Sequence, residues 1–276
     1  MSALLTETVI EAGRTERHYW RDLWHYRELF LFLAWRDVVV RYKQTVIGIA
    51  WAVLRPALTA LAFTVVFGKL ARLPSNGVPY PLLVAAAILP WQFFAASFTD
   101  ASNSLISNAS LVSKVYFPRV VIPASAVIVG MVDLFFSSAI LVALMIWYGV
   151  GPSWRVLSLP LFVLLAFAIA IGTGLWFAAL NVKYRDFRYV VPFVVQFGLY
   201  ISPVGFSSTI VPDQWRLVYA LNPMVGVIDG FRWALLEAPE PLYLPALLIA
   251  CAITAAALVT GIAFFRRTEK SFADVI

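Results

Sequence analysis

Six stretches of this sequence stay apolar for twenty or more residues, and nothing else in the chain constrains its fold as strongly. They cover residues 45–68, 82–106, 120–148, 156–182, 190–211 and 241–265. A helix needs about 20 apolar residues to cross a bilayer core about 30 Å thick. The six stretches use most of the 276 residues and leave no room for a sizeable soluble domain. Composition agrees: 62% of residues are hydrophobic and 13% charged, whereas soluble domains carry roughly 25% charged residues. The fold expected is an all-α integral membrane protein with six transmembrane helices per chain.

Charges within these spans are few: Arg55 beside Pro56 in the first, Asp100 in the second and Asp133 in the third. The fourth has none, and the fifth is interrupted by Pro192, Gly198, Pro203 and Gly205. Glu7 and Glu11 precede the first apolar run, which does not read as a secretory signal, so the opening segment is expected to be retained.

That opening segment mixes aromatic and basic residues over 19–43. Trp20, Leu23, Trp24, Arg27, Leu31 and Ala34 recur at spacings of three and four, with Arg21, Asp22, Glu28 and Arg36 off the stripe. The pattern predicts an amphipathic helix lying in the membrane interface, or one packed on a partner subunit; the two are compatible. Three parts follow: a cytoplasmic N-terminal segment over 1–44, a six-helix transmembrane domain over 45–265, and a cytoplasmic tail over 266–276.

Orientation comes from the lysines and arginines. With the N-terminus inside, inner segments hold fifteen and outer segments five, and every inner segment contributes. Positively charged loops stay in the cytoplasm, so both termini are expected there. The net charge of +6 is thus a topological signal and does not indicate nucleic acid.

Several chemistries are excluded by inventory. The single cysteine, Cys251, lies in an apolar stretch, and the two histidines, His18 and His25, precede every span. No metal spacing and no Ser/His/Asp set can form within the membrane. Gly68-Lys69 lacks the upstream glycine and the hydroxyl residue of a P-loop, so the chain has no ATP-binding motif. Three isolated charges do not make a catalytic cluster. Transport is favoured over catalysis.

Two short segments stand apart from the spans. Asn108 is a suitable N-cap for two helical turns over 109–116, which Pro118 stops. Between spans five and six, 214–221 gives about two turns, and Asn222-Pro223 restarts a helix over 224–236. At 1.5 Å per residue that helix is roughly 20 Å long, too short to cross. A re-entrant helix pair on the outer side is expected, with Asp229 and Arg232 on one face; a pair lying on the outer surface is the alternative.

Several strings, in order, resemble one family. They are Trp35-Arg36-Asp37 with Arg41-Tyr42-Lys43, then Gly48 to Trp51 with Arg55-Pro56, and Leu89-Pro90-Trp91 with Phe93-Phe94. Asn108, Leu111, Lys114, Tyr116 and Phe117-Pro118-Arg119 follow, then Asn181 with Tyr184-Arg185-Asp186. Ser202-Pro203-Val204, Leu221-Asn222-Pro223 and Asp229-Gly230-Phe231-Arg232 complete the set. Together they resemble the permease subunits of ABC type-2 exporters that move lipid-linked polysaccharides such as O-antigen, capsule or teichoic-acid chains. Arg55 falls where the family varies, and Ala87 stands where a glycine is common.

The resemblance implies a homodimer in a bacterial cytoplasmic membrane, working with two copies of a separate ABC ATPase that binds ATP and Mg. The permease itself needs no cofactor and no metal. It implies an ATPase-coupling role for Asn108, Leu111, Lys114, Tyr116, Phe117 and Arg119, with Arg185 and Asp186 in the next inner loop. An ordinary basic loop remains the plain alternative for that stretch. Pathway or gate candidates are Trp51, Arg55, Pro203, Trp215, Asn222, Pro223, Asp229 and Arg232. Arg55 meets the substrate's diphosphate, pairs with Asp133 or Asp100, or snorkels to the interface. Rival readings are a small-lipophile or drug exporter, a proton-driven carrier using Asp100 and Asp133, and a membrane glycan-modifying enzyme.

Overall fold

The structure is a computed structural model that describes residues 19–43, 48–236 and 241–272. Among the described residues every regular element is helical. In chain order they are α1 (Tyr19–His25), α2 (Arg27–Lys43), α3 (Gly48–Phe63), α4 (Tyr80–Ser107), α5 (Ala109–Lys114) and α6 (Val121–Tyr148). Then come α7 (Leu159–Lys183), α8 (Phe187–Ile201), α9 (Asp213–Tyr219), α10 (Pro223–Leu235) and α11 (Leu244–Thr268). Prolines open α4, α7, α10 and α11, where a missing N–H removes no helical hydrogen bond. Gly149 closes α6 in the left-handed conformation with φ 69°, which a residue without Cβ adopts cheaply.

The bundle is built around α4. Of its most apolar window 78% is buried, against 17–28% in the other four long apolar helices. Its Ala85, Ala86 and Ala87 are fully covered, and small residues let neighbouring helices come close. The α7–α11 crossing is equally tight: a Cβ at Gly172 would lie 2.7 Å from the Leu258 nitrogen. The first long helix is less regular, since Pro56 lies inside α3 and a π-helical stretch, Thr64–Leu70, continues it.

Five segments are long and apolar enough to cross a membrane: Ala50–Leu70, Tyr80–Ser107, Val121–Tyr148, Trp154–Lys183 and Leu244–Ser271. The expected fifth span, 190–211, is continuous only as far as Ile201, where α8 ends. Pro203 disfavours helical backbone in the residue before it, and Ser202 is extended with ψ 152°. With 15 residues α8 is roughly 22 Å long, short of a bilayer core.

The expected interface helix is in two pieces, parted at Tyr26, and it carries two apolar faces. Leu33 and Ala34 are buried, and Leu23, Tyr26, Leu29 and Phe30 pack on the same cluster. Trp24, Leu31, Phe32 and Trp35 are all more than 60% exposed. The stripe drawn from the sequence therefore mixes the two faces: Ala34 is buried while Trp24 and Leu31 are not. The side chains of Trp20 and Asp22, and residues 1–18, 44–47, 237–240 and 273–276, lie outside the described part.

Long-range contacts sort the connecting segments into two ends. At one, the Arg266 guanidinium lies 4.3 Å over the Tyr19 ring and Arg119 donates to the Glu269 carbonyl. At the other, Asn76 donates to Ser207 (3.2 Å) and Thr209 (3.0 Å), and Trp154 meets Trp233 edge-on at 6.4 Å. The first end holds α1, α5 and the end of α11. The second holds the α3–α4 and α6–α7 connections, the 202–212 segment, α9 and the end of α10.

Candidate functional site

A cleft of about 540 Å³ opens between α3, α4, α6 and α8. On one wall α3 presents Trp51 and Arg55, both exposed, with Thr59 one turn beyond. On the other, α4 presents Trp91, Gln92 and Thr99, with Val195 and Leu199 of α8 alongside. The Trp91 ring sits so close to α8 that a Cβ at Gly198 would come within 2.6 Å of it. The Ser137 hydroxyl donates to the Ala52 carbonyl at 2.8 Å and ties α6 to the Trp51 turn of α3.

The end of the cleft nearest α2 is charged. Arg41, near the end of α2, reaches Asp100 at 3.0 Å and Asp133 at 3.3 Å, and the Tyr42 hydroxyl donates to Asp133. Burial works against the Arg41 charge, and the Asp133 and Asp100 carboxylates more than offset it, so its pKa lies above the usual arginine value. Burial, helped by the hydrogen bond to Asp133, also pushes the Tyr42 phenol up. Opposite charges in a medium of low polarity favour each other's ionised forms. Of the alternatives for Arg55, pairing with an aspartate does not occur among the described residues: both Asp100 and Asp133 go to Arg41.

At the first end of the bundle α5 is six residues long, shorter than the two turns expected to reach Tyr116. Asn108 occupies the N-cap position but caps nothing with its side chain. Its Nδ2 donates to the Ser104 carbonyl at 2.9 Å and its Oδ1 accepts from Arg36 at 2.9 Å. Lys114 and Tyr116 are exposed, Leu111 is half-buried and Phe117 is buried. Arg119 is half-buried, spent in part on the Glu269 carbonyl. Arg185 and Asp186 are exposed in the α7–α8 turn.

At the second end the helix restart is as expected. Asn222 Oδ1 accepts from the Met224 N–H at 3.0 Å, and its Nδ2 donates to the Ser202 hydroxyl at 2.9 Å. Asp229 and Arg232 do approach, at 4.0 Å. The larger role of Arg232 was not legible: it is 7% exposed and donates to three backbone carbonyls, Leu83 (3.1 Å), Phe206 (2.9 Å) and Val204 (3.3 Å). It therefore pins α10 to α4 and to the irregular segment after α8. Pro203 is buried in that segment, and Trp215 of α9 is exposed. No cluster of metal-ligating side chains occurs among the described residues.

Two arginine-bearing sites on an all-helical membrane bundle, one in an open cleft and one locking a short helix, fit a transporter better than an enzyme. The ABC-2 type transporter family matches residues 28–236, and the chain belongs to it. Among individual relatives, the chain is 27% identical over 258 residues to the O-antigen export system permease protein RfbA of Myxococcus xanthus, covering 93% of this chain and 98% of that one. An RfbA of Klebsiella pneumoniae is 27% identical over 256 residues, covering 90% and 95%. The polysialic acid transport protein KpsM of Escherichia coli is 23% identical over 248 residues, covering 87% and 93%.

Proposed function

We propose that the chain is the membrane-spanning permease of an ATP-driven exporter that carries lipid-linked polysaccharide across the cytoplasmic membrane. One observation carries the reading: the cleft is lined by an exposed Trp51 and by Arg55, which makes no ion pair among the described residues, on α3, with Gln92 and Thr99 of α4 alongside. An arginine facing lipid near a helix centre costs about 2.5–3.5 kcal/mol, so Arg55 belongs to a wet path. Its charge suits the diphosphate of a lipid carrier, and the exposed Trp51 ring suits the C–H faces of sugar rings. A single chain leaves the cleft open on one side, and a second copy about a two-fold axis closes it.

The rest of the reading follows from this arrangement. The first end of the bundle is cytoplasmic, with both termini, because it gathers Lys114, Arg119, Lys183, Arg185 and Arg188. There α5 and the Arg185-Asp186 turn face two copies of an ABC ATPase, which bind ATP and Mg; the permease catalyses nothing itself. The crossing begun by α8 is completed by 202–211, whose irregular backbone is covered by protein, making six crossings in all. The α9–α10 pair dips into the outer side as a gate. Residues 1–44, 45–265 and 266–276 are then the interface segment, the transmembrane domain and the cytoplasmic tail.

The test is reconstitution. Vesicles holding the permease with its ATPase should move a labelled diphosphate-linked glycan only while ATP is hydrolysed, and continue when the proton gradient is collapsed. Transport that follows the gradient and ignores ATP would overturn the reading in favour of a carrier. Orientation is checked by thiol labelling: Ser75→Cys and Ser153→Cys should react from outside, Ser110→Cys and Ser271→Cys only after the membrane is opened.

A further inference from the structure

The α5 segment cannot set its own angle. A six-residue helix is far below the length at which isolated helices persist, and α5 buries only Val112. Its orientation is imposed by the floor beneath it. That floor is one buried cluster in which Val112 and Phe117 join Leu33 of α2, Leu105 of α4, Phe265 of α11 and Phe272. Phe272 is the informative member. It lies beyond α11, four residues from Thr268, in a segment whose polar residues predict a solvated tail. Yet it is fully buried, with its ring edge-on to Phe265 at 5.3 Å.

The fold-back has its own fastenings. A short 3-10 turn, Glu269–Ser271, reverses the chain, and Ser271 donates to the Thr268 carbonyl at 2.8 Å. From the other side, the Arg119 guanidinium donates to the Glu269 carbonyl, so the segment leaving α5 holds the tail directly. We propose that the C-terminal turn and Phe272 are a positioning element for α5: they fix the angle at which it meets its partner, so that hydrolysis is converted into transport. The proposal rests on the reading of α5 as the ATPase-docking segment. Lys114 and Tyr116, which face outward, remain the docking surface, and Phe272 acts through the floor under them.

The experiment uses the full chain purified with the ABC ATPase that accompanies it. Three quantities are measured: ATPase recovered per permease, ATP hydrolysed, and glycan exported per ATP. Phe272→Ala should leave recovery unchanged and lower export per ATP about tenfold, as a lost coupling does. Phe272→Leu should restore most of that ratio, and Arg119→Gln should reproduce the loss. If Phe272→Ala does not accumulate, Phe272→Leu and Arg119→Gln decide: an unchanged ratio in Arg119→Gln overturns the proposal. Loss of ATPase recovery in step with loss of export would also overturn it, because that is docking and not positioning. If the unmodified chain recovers no ATPase at all, the docking reading itself fails, and that result is distinct from the others.

Discussion

Arg232 and Arg55 make opposite uses of the same side chain. Arg232 is buried at the second end of the bundle, with its guanidinium on three carbonyls of two separate segments. Arg55 stands in the wall of the cleft, exposed and without an ion pair among the described residues. A buried charge is tolerated only when its donors are satisfied, and then removing it exposes every group it served. On the proposed function, Arg55 is instead kept for a ligand in the cleft. The two regions would then divide stability from transport, and substitutions should separate the two.

The largest effect on stability is expected at Arg232. Arg232→Gln should cost roughly 3–5 kcal/mol, the usual loss when one side of a buried charged network is removed. A melt in detergent, or the fraction of monodisperse protein, measures it. Asn222→Ala comes next, with about 1 kcal/mol lost from the α10 cap. It should also loosen Ser202, which bonds the same carboxamide. A loss comparable to that at Arg232 would mean that the cap and the guanidinium act as one unit.

Arg41 is intermediate. More than a third of its side chain is exposed, so Arg41→Gln should destabilise by less than about 1 kcal/mol. It leaves Asp100 and Asp133 facing each other, and converting both to Asn in the same chain should recover what was lost. Recovery of stability without recovery of export would show that Arg41 also acts on the substrate path. Arg55→Gln is expected to shift stability by no more than about 0.5 kcal/mol, as surface changes do. Its effect should instead be on export, about tenfold down per ATP, the size of one lost charged contact. If Arg55→Gln melts as early as Arg232→Gln, the division between the two regions is wrong.

Most of the bundle could be read before the structure, because spanning length and absence of charge are local properties. The 82–106, 120–148 and 241–265 stretches match helices within three residues at each end. The cap at Asn222 was readable for the same reason. Tertiary choices were not. Asn108 has the chemistry of a cap, but Arg36 of α2 and the Ser104 carbonyl claim its side chain first. Arg41 and Arg55 could each pair with Asp100 or Asp133, and no periodicity says that Arg41 wins both. Arg232 looked like a partner for Asp229 because the two are three residues apart on one helix. Its main partners come from α4 and from the segment after α8. The burial of Phe272 was not legible, because one ring among polar neighbours leaves no pattern.

The shortness of α8 has a consequence for the backbone beyond it. At roughly 22 Å it falls about 8 Å below an average hydrocarbon thickness, so on the six-crossing reading the rest of that crossing has no helical ladder of its own. Carbonyls at such a depth need donors from elsewhere in the protein. Arg232 supplies two of them, at Val204 and Phe206. One side chain of α10 thus completes the hydrogen bonding of a span to which it does not belong.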